Sequence, residues 1–144
     1  MKAIDTPYAG HLFRSRLEAR WAVFFDQLEI QWDYESEGFE LNDGTRYLPD
    51  FLIHTPQDER RWIEIKPSHI AEDPKFSAFE KASQTSAALV SGSPLQWLEA
   101  EHYFCPRCGI PHKRGPSPFG ADSWSYSLIV AEPTALPCRY RLLS

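Results

Sequence analysis

The sequence predicts a mixed α/β fold of the α+β type, and three patterns predict it. Apolar residues spaced by three or four from Phe13 to Leu28 indicate the buried face of a helix. Two later runs, residues 47–53 and 61–66, are rich in aromatic and branched side chains and indicate paired strands. Asp73-Pro74 then has the residue types that begin a second helix. Together these elements favour one mixed domain.

The first helix is predicted over residues 12–29, after an irregular arm at residues 1–10. Its start has two interpretations. Ser15 followed by Glu18 is a capping box, in which both side chains bond free N–H groups at the start of a helix. The apolar stripe instead favours a start near Gly10, which would place Glu18 beside the stripe at the edge facing the sheet.

Residues 31–41 are predicted to be extended, because aromatic and acidic residues alternate in Trp32-Asp33-Tyr34-Glu35. Asn42-Asp43-Gly44 then predicts a turn, and Thr55-Pro56-Gln57-Asp58 predicts the turn of a hairpin between the two paired strands. Glu35 is interpreted as a surface acid, with a secondary role in a functional site as the alternative.

The second helix is predicted to run from Asp73-Pro74 toward the turn at Ser91-Gly92-Ser93-Pro94, and Leu95–Leu98 is predicted to be the fourth strand. Proline and glycine become frequent after that strand. We therefore expect one domain over residues 1–100 and a small appendage over residues 101–144.

The strand at residues 61–66 carries side chains that suit a divalent metal ion and a phosphate. Side-chain alternation places Glu64 and Lys66 on one face of the strand, and Asp50 lies on the partner strand. Mg²⁺ or Mn²⁺ prefers carboxylate oxygens such as these, and the backbone carbonyl of Ile65 can add another ligand. The Lys66 ammonium can orient or deprotonate an attacking water, or stabilise charge on phosphorus. The residue types leave these roles open.

Pro49-Asp50 followed by Glu64-Ile65-Lys66 resembles the motif of the PD-(D/E)XK nuclease superfamily. With Ser15-x-Leu17-Glu18 added, the pattern is similar to the catalytic domain of TnsA-type transposon endonucleases, over about two-thirds of the chain. The resemblance implies a restriction-endonuclease-like core of a helix, three strands, a helix and a fourth strand. It also implies a Mg²⁺-dependent endonuclease that leaves a 5′-phosphate and a 3′-hydroxyl, with Glu18 as a further catalytic acid.

Each of these residues alone also has an ordinary explanation, as a helix cap or as solvated strand surface. Their combination in the required order favours the nuclease. Two other functions fit the same pattern. One is a non-catalytic module that binds nucleic acid or protein on a nuclease fold, and the other is an endonuclease subunit that depends on a transposase or other protein partner. A homodimer is also compatible with the sequence.

The net charge of −5 is unusual for a protein that binds nucleic acid. Residues 31–66 contain nine acids and four bases, and an acidic metal site accounts for part of that excess. Contacts with the nucleic acid, expected to be DNA, are therefore predicted outside this segment. The predicted contact residues are Arg14, Arg16, Arg20, Lys81, Gln84, Arg107, Lys113 and Arg114.

The appendage opens with Cys105-Pro106-Arg107-Cys108, which has the spacing of a zinc knuckle. His112 and Cys138 would complete a Cys₃His set, with His102 as the reserve ligand. Zinc with four protein ligands has no open position for water, so its role would be structural. The alternative is a pair of reduced cysteines in a turn without metal. The resemblance to the nucleases does not extend to this segment.

Composition predicts an ordinary cytoplasmic domain. The chain has 144 residues of which 42% are hydrophobic, enough to bury a core. It has no apolar run of membrane-spanning length and no apolar stretch of a signal peptide after Met1, so we expect no membrane association. Three cysteines, an odd number, argue against a disulfide framework.

Overall fold

A computed structural model describes residues 3–83, 86–99, 102–105 and 110–113, the last two ranges as backbone only. In this part of the chain the helices are α1 Arg16–Gln27, α2 Pro74–Ser83 and α3 Pro94–Glu99. The strands are β1 Thr6–Tyr8, β2 His11–Phe13, β3 Gln31–Tyr34, β4 Phe39–Glu40, β5 Arg46–Tyr47, β6 Phe51–His54, β7 Arg60–Lys66, β8 Ala87–Ser91, β9 His102–Cys105 and β10 Ile110–Lys113.

The central feature is a four-stranded mixed sheet with the order β3-β6-β7-β8. β6 pairs antiparallel with both β3 and β7, whereas β8 runs parallel to β7. Parallel neighbours need a crossover connection, and α2 lies in the segment that joins these two strands. The mixed α+β class is therefore confirmed.

The two faces of the sheet bury different side chains of β7. One cluster packs α1 against the sheet through Trp21, Phe25, Phe51, Ile63 and Ile65. A second cluster packs α2 against the sheet through Leu52, Trp62, Phe76 and Phe79. Trp62 and the two isoleucines thus lie on opposite faces, which confirms the predicted alternation in β7. By the same alternation Glu64 and Lys66 share the face of Trp62.

Helix α1 begins later than the apolar stripe suggests. Ser15 has extended backbone angles and its hydroxyl accepts a hydrogen bond from the Glu18 N–H at 3.2 Å, so Ser15 is the N-cap. The predicted N-cap at Ser15 is confirmed, although the Glu18 carboxylate accepts from the Ser15 hydroxyl and not from its N–H, and a start near Gly10 or His11 is wrong. The reason is local: Ala9 and Gly10 have positive φ angles of 49° and 79° and form the turn of the β1–β2 hairpin.

The predicted turns on either side of the strand region are confirmed. The Gly44 N–H bonds the Leu41 carbonyl at 2.8 Å, and Gly44 has a φ of 81°, a conformation that glycine adopts without strain. In the β6–β7 hairpin the Asp58 N–H bonds the Thr55 carbonyl at 3.0 Å. The first turn joins β4 and β5, and the second sets the register of β6 and β7.

Two predictions after residue 83 are wrong. The second helix ends at Ser83, and Ala87–Ser91 forms strand β8 rather than the last turns of that helix. A short apolar run of this kind fits a buried parallel strand as well as a helix, so periodicity does not separate the two. Residues 95–98, predicted as the fourth strand, lie instead in helix α3.

Helix α3 has start signals that are visible in the sequence. Ser93 and Gln96 form a capping box, in which the Gln96 N–H bonds the Ser93 hydroxyl at 3.2 Å and the Ser93 N–H bonds Gln96 Oε1 at 2.9 Å. Pro94 occupies the first helical position, where its missing N–H has no consequence.

Residues 102–105 and 110–113, in the predicted appendage, form an antiparallel pair of strands, β9 and β10, with Cys105 opposite Ile110. These strands flank residues 106–109, which lie outside the described residues together with residues 114–144. Among the described residues, no helix is long and apolar enough to cross a membrane.

Candidate active site

Asp50 directly precedes β6 instead of lying on the strand as predicted, and Glu64 lies on β7. Phe51 pairs with Ile63 at this end of the antiparallel ladder, so continuation of the register places Asp50 opposite Glu64. Asp50 is 3% exposed, and its Oδ2 accepts a hydrogen bond from the Ile65 N–H at 2.7 Å. The strand ladder thus fixes the position of the Asp50 carboxylate.

Lys66 is held between two carboxylates. Its Nζ lies 2.9 Å from Glu64 Oε1 and 3.0 Å from Asp73 Oδ2. Burial alone would lower the pKa of Lys66, but its hydrogen bonds and ion pairs with Glu64 and Asp73 raise the pKa above its ordinary value. The side chain is therefore a fixed ammonium at the edge of the Asp50–Glu64 pair.

The concentration of acids at this point perturbs Asp50. Burial raises the pKa of the Asp50 carboxyl well above its ordinary value, and the negative charges of Glu64 and Glu18 raise it further. The Ile65 N–H and the Arg14 charge act in the opposite direction and are outweighed. A second positive charge near Asp50 would therefore be favourable.

Two buried polar atoms at the site have no hydrogen-bond partner among the described residues, Glu64 Oε2 and the Tyr47 hydroxyl. Burial raises the pKa of Tyr47, and the charge and hydrogen-bonding influence of the Glu64 carboxylate raise it further, so the Tyr47 hydroxyl lies beside Glu64. A buried carboxylate oxygen without a partner destabilises a fold by the cost of its lost hydration. Glu64 Oε2 is thus an oxygen suited to a cation.

Glu18 projects toward this site from the first turn of α1. Its carboxylate accepts a hydrogen bond from Ser15 Oγ at 2.8 Å and another from the Tyr34 hydroxyl. Burial and the hydrogen bond to Glu18 raise the pKa of Tyr34, which keeps its hydroxyl a donor. Glu18 is therefore both a cap residue and a site residue, and the two interpretations of its role are compatible.

Arg14 covers the solvent side of Asp50. Its Nη2 lies 3.2 Å from Asp50 Oδ1 and its Nε pairs with Glu35, which follows β3. Burial would lower the pKa of Arg14, but the contacts with Tyr34, Glu35 and Asp50 raise it. The guanidinium side chain is 58% exposed, so the contact is made from the mouth of the site rather than from the core.

The site contains the four predicted catalytic residues Glu18, Asp50, Glu64 and Lys66, with the Ile65 backbone beside them. Arg14 precedes α1 instead of lying on it, and belongs to the site. The remaining predicted contacts have other locations. Arg16 and Arg20 are exposed on α1 and Lys81 is exposed in the last turn of α2. Cys105, His112 and Lys113 are described by their backbone only, whereas Gln84, Arg107, Cys108, Arg114 and Cys138 lie outside the described residues.

Within the described residues, no group of three or more His, Cys, Asp or Glu side chains is arranged to hold a metal ion. At this site Asp50 binds the Ile65 N–H and Arg14, while one oxygen of Glu64 binds Lys66. Mg²⁺ needs only one or two protein carboxylates, because it keeps several waters. The second oxygen of Glu64 and the Arg14-bound oxygen of Asp50 fit that smaller requirement.

Four residues of the site were missed or assigned to the surface by the sequence reasoning. Asp73 was interpreted only as a helix start, yet it holds Lys66. Tyr34 and Tyr47 were interpreted as strand residues, although their hydroxyls reach Glu18 and Glu64. Glu35, read as a surface acid, pairs with Arg14. Tyr34 ends β3, Glu35 follows it, Tyr47 ends β5 and Asp73 precedes α2, and their proximity to the site comes from tertiary packing without a sequence signal.

No established protein-family model matches the sequence, and no curated protein is significantly similar to it.

Proposed function

We propose that this chain is a metal-dependent endonuclease of the PD-(D/E)XK type that hydrolyses DNA phosphodiester bonds. The observation that carries the proposal is the facing pair Asp50 and Glu64, with a buried free oxygen on Glu64 and with Lys66 fixed beside it. The order of α1, β3, β6, β7, α2 and β8 also agrees with the helix and strand order of that nuclease core.

The donor set supports a hard divalent cation such as Mg²⁺ or Mn²⁺. Asp50 Oδ1 and Glu64 Oε2 would hold it, and the Ile65 carbonyl is the third candidate ligand. A cation at this point supplies Lewis acidity, which activates water and neutralises charge on the phosphoryl group. The raised pKa of Asp50 supports the same assignment, because burial and then the charges of Glu64 and Glu18 disfavour its ionised form, and a bound cation would relieve that cost.

The other side chains then have definable tasks. Lys66 can align the attacking water and stabilise negative charge on the phosphoryl oxygens, since its ammonium is already fixed by Glu64 and Asp73. Glu18 would shape the acidic wall of the site, as its carboxylate is oriented by Ser15 and Tyr34. Attack by water on phosphorus would break the bond to the 3′ oxygen, which leaves with a proton, and would give a 5′-phosphate end.

The nucleic acid would be held by bases outside the acidic cluster. Arg16 and Arg20 lie one helical turn apart on α1 and are exposed, as is Lys81 on α2. The appendage adds the proposed structural zinc knuckle of Cys105, Cys108, His112 and Cys138. Its zinc content is measured directly by elemental analysis of the natively purified protein, and protein without zinc would refute the knuckle.

The decisive experiment is cleavage of supercoiled plasmid in Mg²⁺ or Mn²⁺, with and without EDTA. Asp50→Asn, Glu64→Gln and Lys66→Ala should each abolish nicking, while Glu40→Gln, an exposed acid on β4, should retain it. Activity that survives in the Asp50 and Lys66 variants would refute the proposal. Binding of DNA by the wild type without metal-dependent cleavage would favour the non-catalytic module.

A further inference from the structure

Arg14 and a metal ion would compete for the same oxygen of Asp50. Asp50 Oδ2 is bound by the Ile65 N–H in the strand ladder, which leaves Oδ1 as the accessible oxygen. That oxygen is 3.2 Å from Arg14 Nη2. A guanidinium and a divalent cation cannot share one carboxylate oxygen at bonding distance without strong repulsion.

The Arg14 side chain is able to leave. It is 58% exposed, whereas the Asp50 side chain that it contacts is 4% exposed. Its backbone N–H donates to the Tyr34 hydroxyl at 3.1 Å, so the chain itself is anchored while the guanidinium reaches outward. Its second partner, Glu35, directly follows β3 and lies at the mouth of the site.

We infer that the Arg14 guanidinium occupies the metal position on Asp50 in the free protein, and that metal binding releases it to bind a substrate phosphate. This inference rests on the proposed nuclease function. Arg14 is then a phosphate-binding residue that is available only when the metal is bound. The metal would therefore bind before Arg14 contacts the nucleic acid.

The electrostatics of the site favour this exchange. In the free protein the two acids Asp50 and Glu35 hold the guanidinium. A divalent cation on Asp50 neutralises the charge that attracts Arg14 and adds repulsion at short range. A phosphodiester then offers two non-bridging oxygens, which match the planar fork of the guanidinium better than one carboxylate oxygen does.

The first test measures Mn²⁺ binding without DNA by electron paramagnetic resonance. Arg14→Gln should bind Mn²⁺ about fivefold more tightly than the wild type, since a partly exposed ion pair contributes up to about 1 kcal/mol. Arg14→Lys retains the positive charge, so its affinity for Mn²⁺ should increase less. Arg16→Gln, which removes the same charge from the exposed start of α1, is the matched control and should change Mn²⁺ affinity little. Thermal melting verifies that each variant is folded.

The second test measures binding of a labelled DNA duplex in a Lys66→Ala background, in which the metal ligands remain and cleavage is expected to be absent. Arg14→Gln should weaken binding about fivefold in Mn²⁺, the effect of losing one charge-assisted phosphate contact, and should have little effect in EDTA.

Unchanged or weaker Mn²⁺ affinity in Arg14→Gln would overturn the inference, as would an equal loss of DNA affinity in Mn²⁺ and EDTA. The proposed nuclease function fails separately, by absence of cleavage in the wild type. In that case the Mn²⁺ measurement still reports whether Arg14 occupies the metal position.

Discussion

Asp73 both caps helix α2 and holds the Lys66 ammonium, and substitutions at this residue separate these two roles. Its Oδ1 accepts hydrogen bonds from the Lys75 N–H at 2.8 Å and the Phe76 N–H at 3.4 Å, which caps the start of α2. Its Oδ2 holds the Lys66 ammonium at 3.0 Å. Serine caps a helix as well as aspartate does but does not carry the charge that holds Lys66.

The two roles predict different magnitudes. Asp73→Ala loses the cap and the ion pair, whereas Asp73→Ser loses the ion pair alone. A cap residue contributes about 1 kcal/mol to the free energy of unfolding. The side chains of Lys66 and Asp73 are 23% and 19% exposed, so their ion pair contributes about 0.5 to 1 kcal/mol after solvent screening. We expect a loss of about 2 kcal/mol for alanine and roughly half of that for serine.

The rate of DNA cleavage should depend on the Lys66–Asp73 ion pair and not on the helix cap. Lys66 retains Glu64 as a partner in both variants but loses the second contact that fixes its direction. We expect kcat for plasmid cleavage to fall about tenfold in both, with KM unchanged, because a misplaced catalytic group weakens transition-state contacts without affecting substrate binding. Urea denaturation and initial cleavage rates at saturating DNA measure the two effects.

A single outcome would refute this reasoning about Asp73. If the serine variant cleaves at the wild-type rate while the alanine variant is slow, activity follows the integrity of α2 and the contact with Lys66 has no catalytic consequence. Asp73→Asn is the intermediate case, since it retains a cap and an uncharged acceptor for Lys66. The cleavage rate of Asp73→Asn should lie between the rates of Asp73→Ser and the wild type.

Three further predictions follow from the same structure. Phe79→Ala should lower the free energy of unfolding by about 3 to 5 kcal/mol in urea denaturation, because Phe79 is 1% exposed and stacks on Tyr47. The Thr45 N–H lowers the pKa of Asp43, so its stabilising contribution is complete above the unfolded pKa and is lost as the pH falls through the folded pKa. As the pH is lowered from roughly 5 to 3, the free energy of unfolding, measured by urea denaturation, should therefore fall less in Asp43→Asn than in the wild type. Asp50→Asn should be more stable than the wild type in EDTA yet gain nothing from Mn²⁺, whereas the wild type should gain about 2.7 kcal/mol at roughly a hundredfold excess of metal over its Kd.

The strands that carry the site were predictable because a strand has a period of two. In β7 that period separates Ile63 from Glu64, and the separation places the acid on the correct face without knowledge of any other element. The turn residues Asn42–Gly44 and Thr55–Asp58 fixed where the strands begin and end. Local chemistry was therefore sufficient for Asp50, Glu64 and Lys66.

The region after α2 was not predictable in the same way. The run Ala87–Val90 is apolar at every position, because β8 lies in the sheet next to β7 and has no consistently solvated face. A continuous apolar run has no period, so the assignment of helix or strand depends on the partner strand. The cap at Ser93 and Gln96, by contrast, is a local signal, and it would have assigned α3 correctly.

Residues contributed by distant elements were the hardest to foresee. Tyr34, Glu35 and Asp73 reach the site because β3 ends and α2 begins beside it, and no spacing in the sequence records that proximity. Arg14 belongs to the site because α1 begins at Arg16 and the preceding chain turns toward β3. Such contacts depend on tertiary packing, which the sequence pattern alone does not contain.

The energetics of the acidic pair favour a function over a structural role. Asp50 and Glu64 are 3% and 6% exposed, and one oxygen of Glu64 has no partner among the described residues. Buried charges with incomplete pairing are costly, and apolar residues of similar volume are often equally or more stabilising. Arg14 and Lys66 offset part of the charge, yet the pKa of Asp50 remains raised. Stability alone therefore does not explain these two acids, whereas the proposed binding of a divalent cation would explain them.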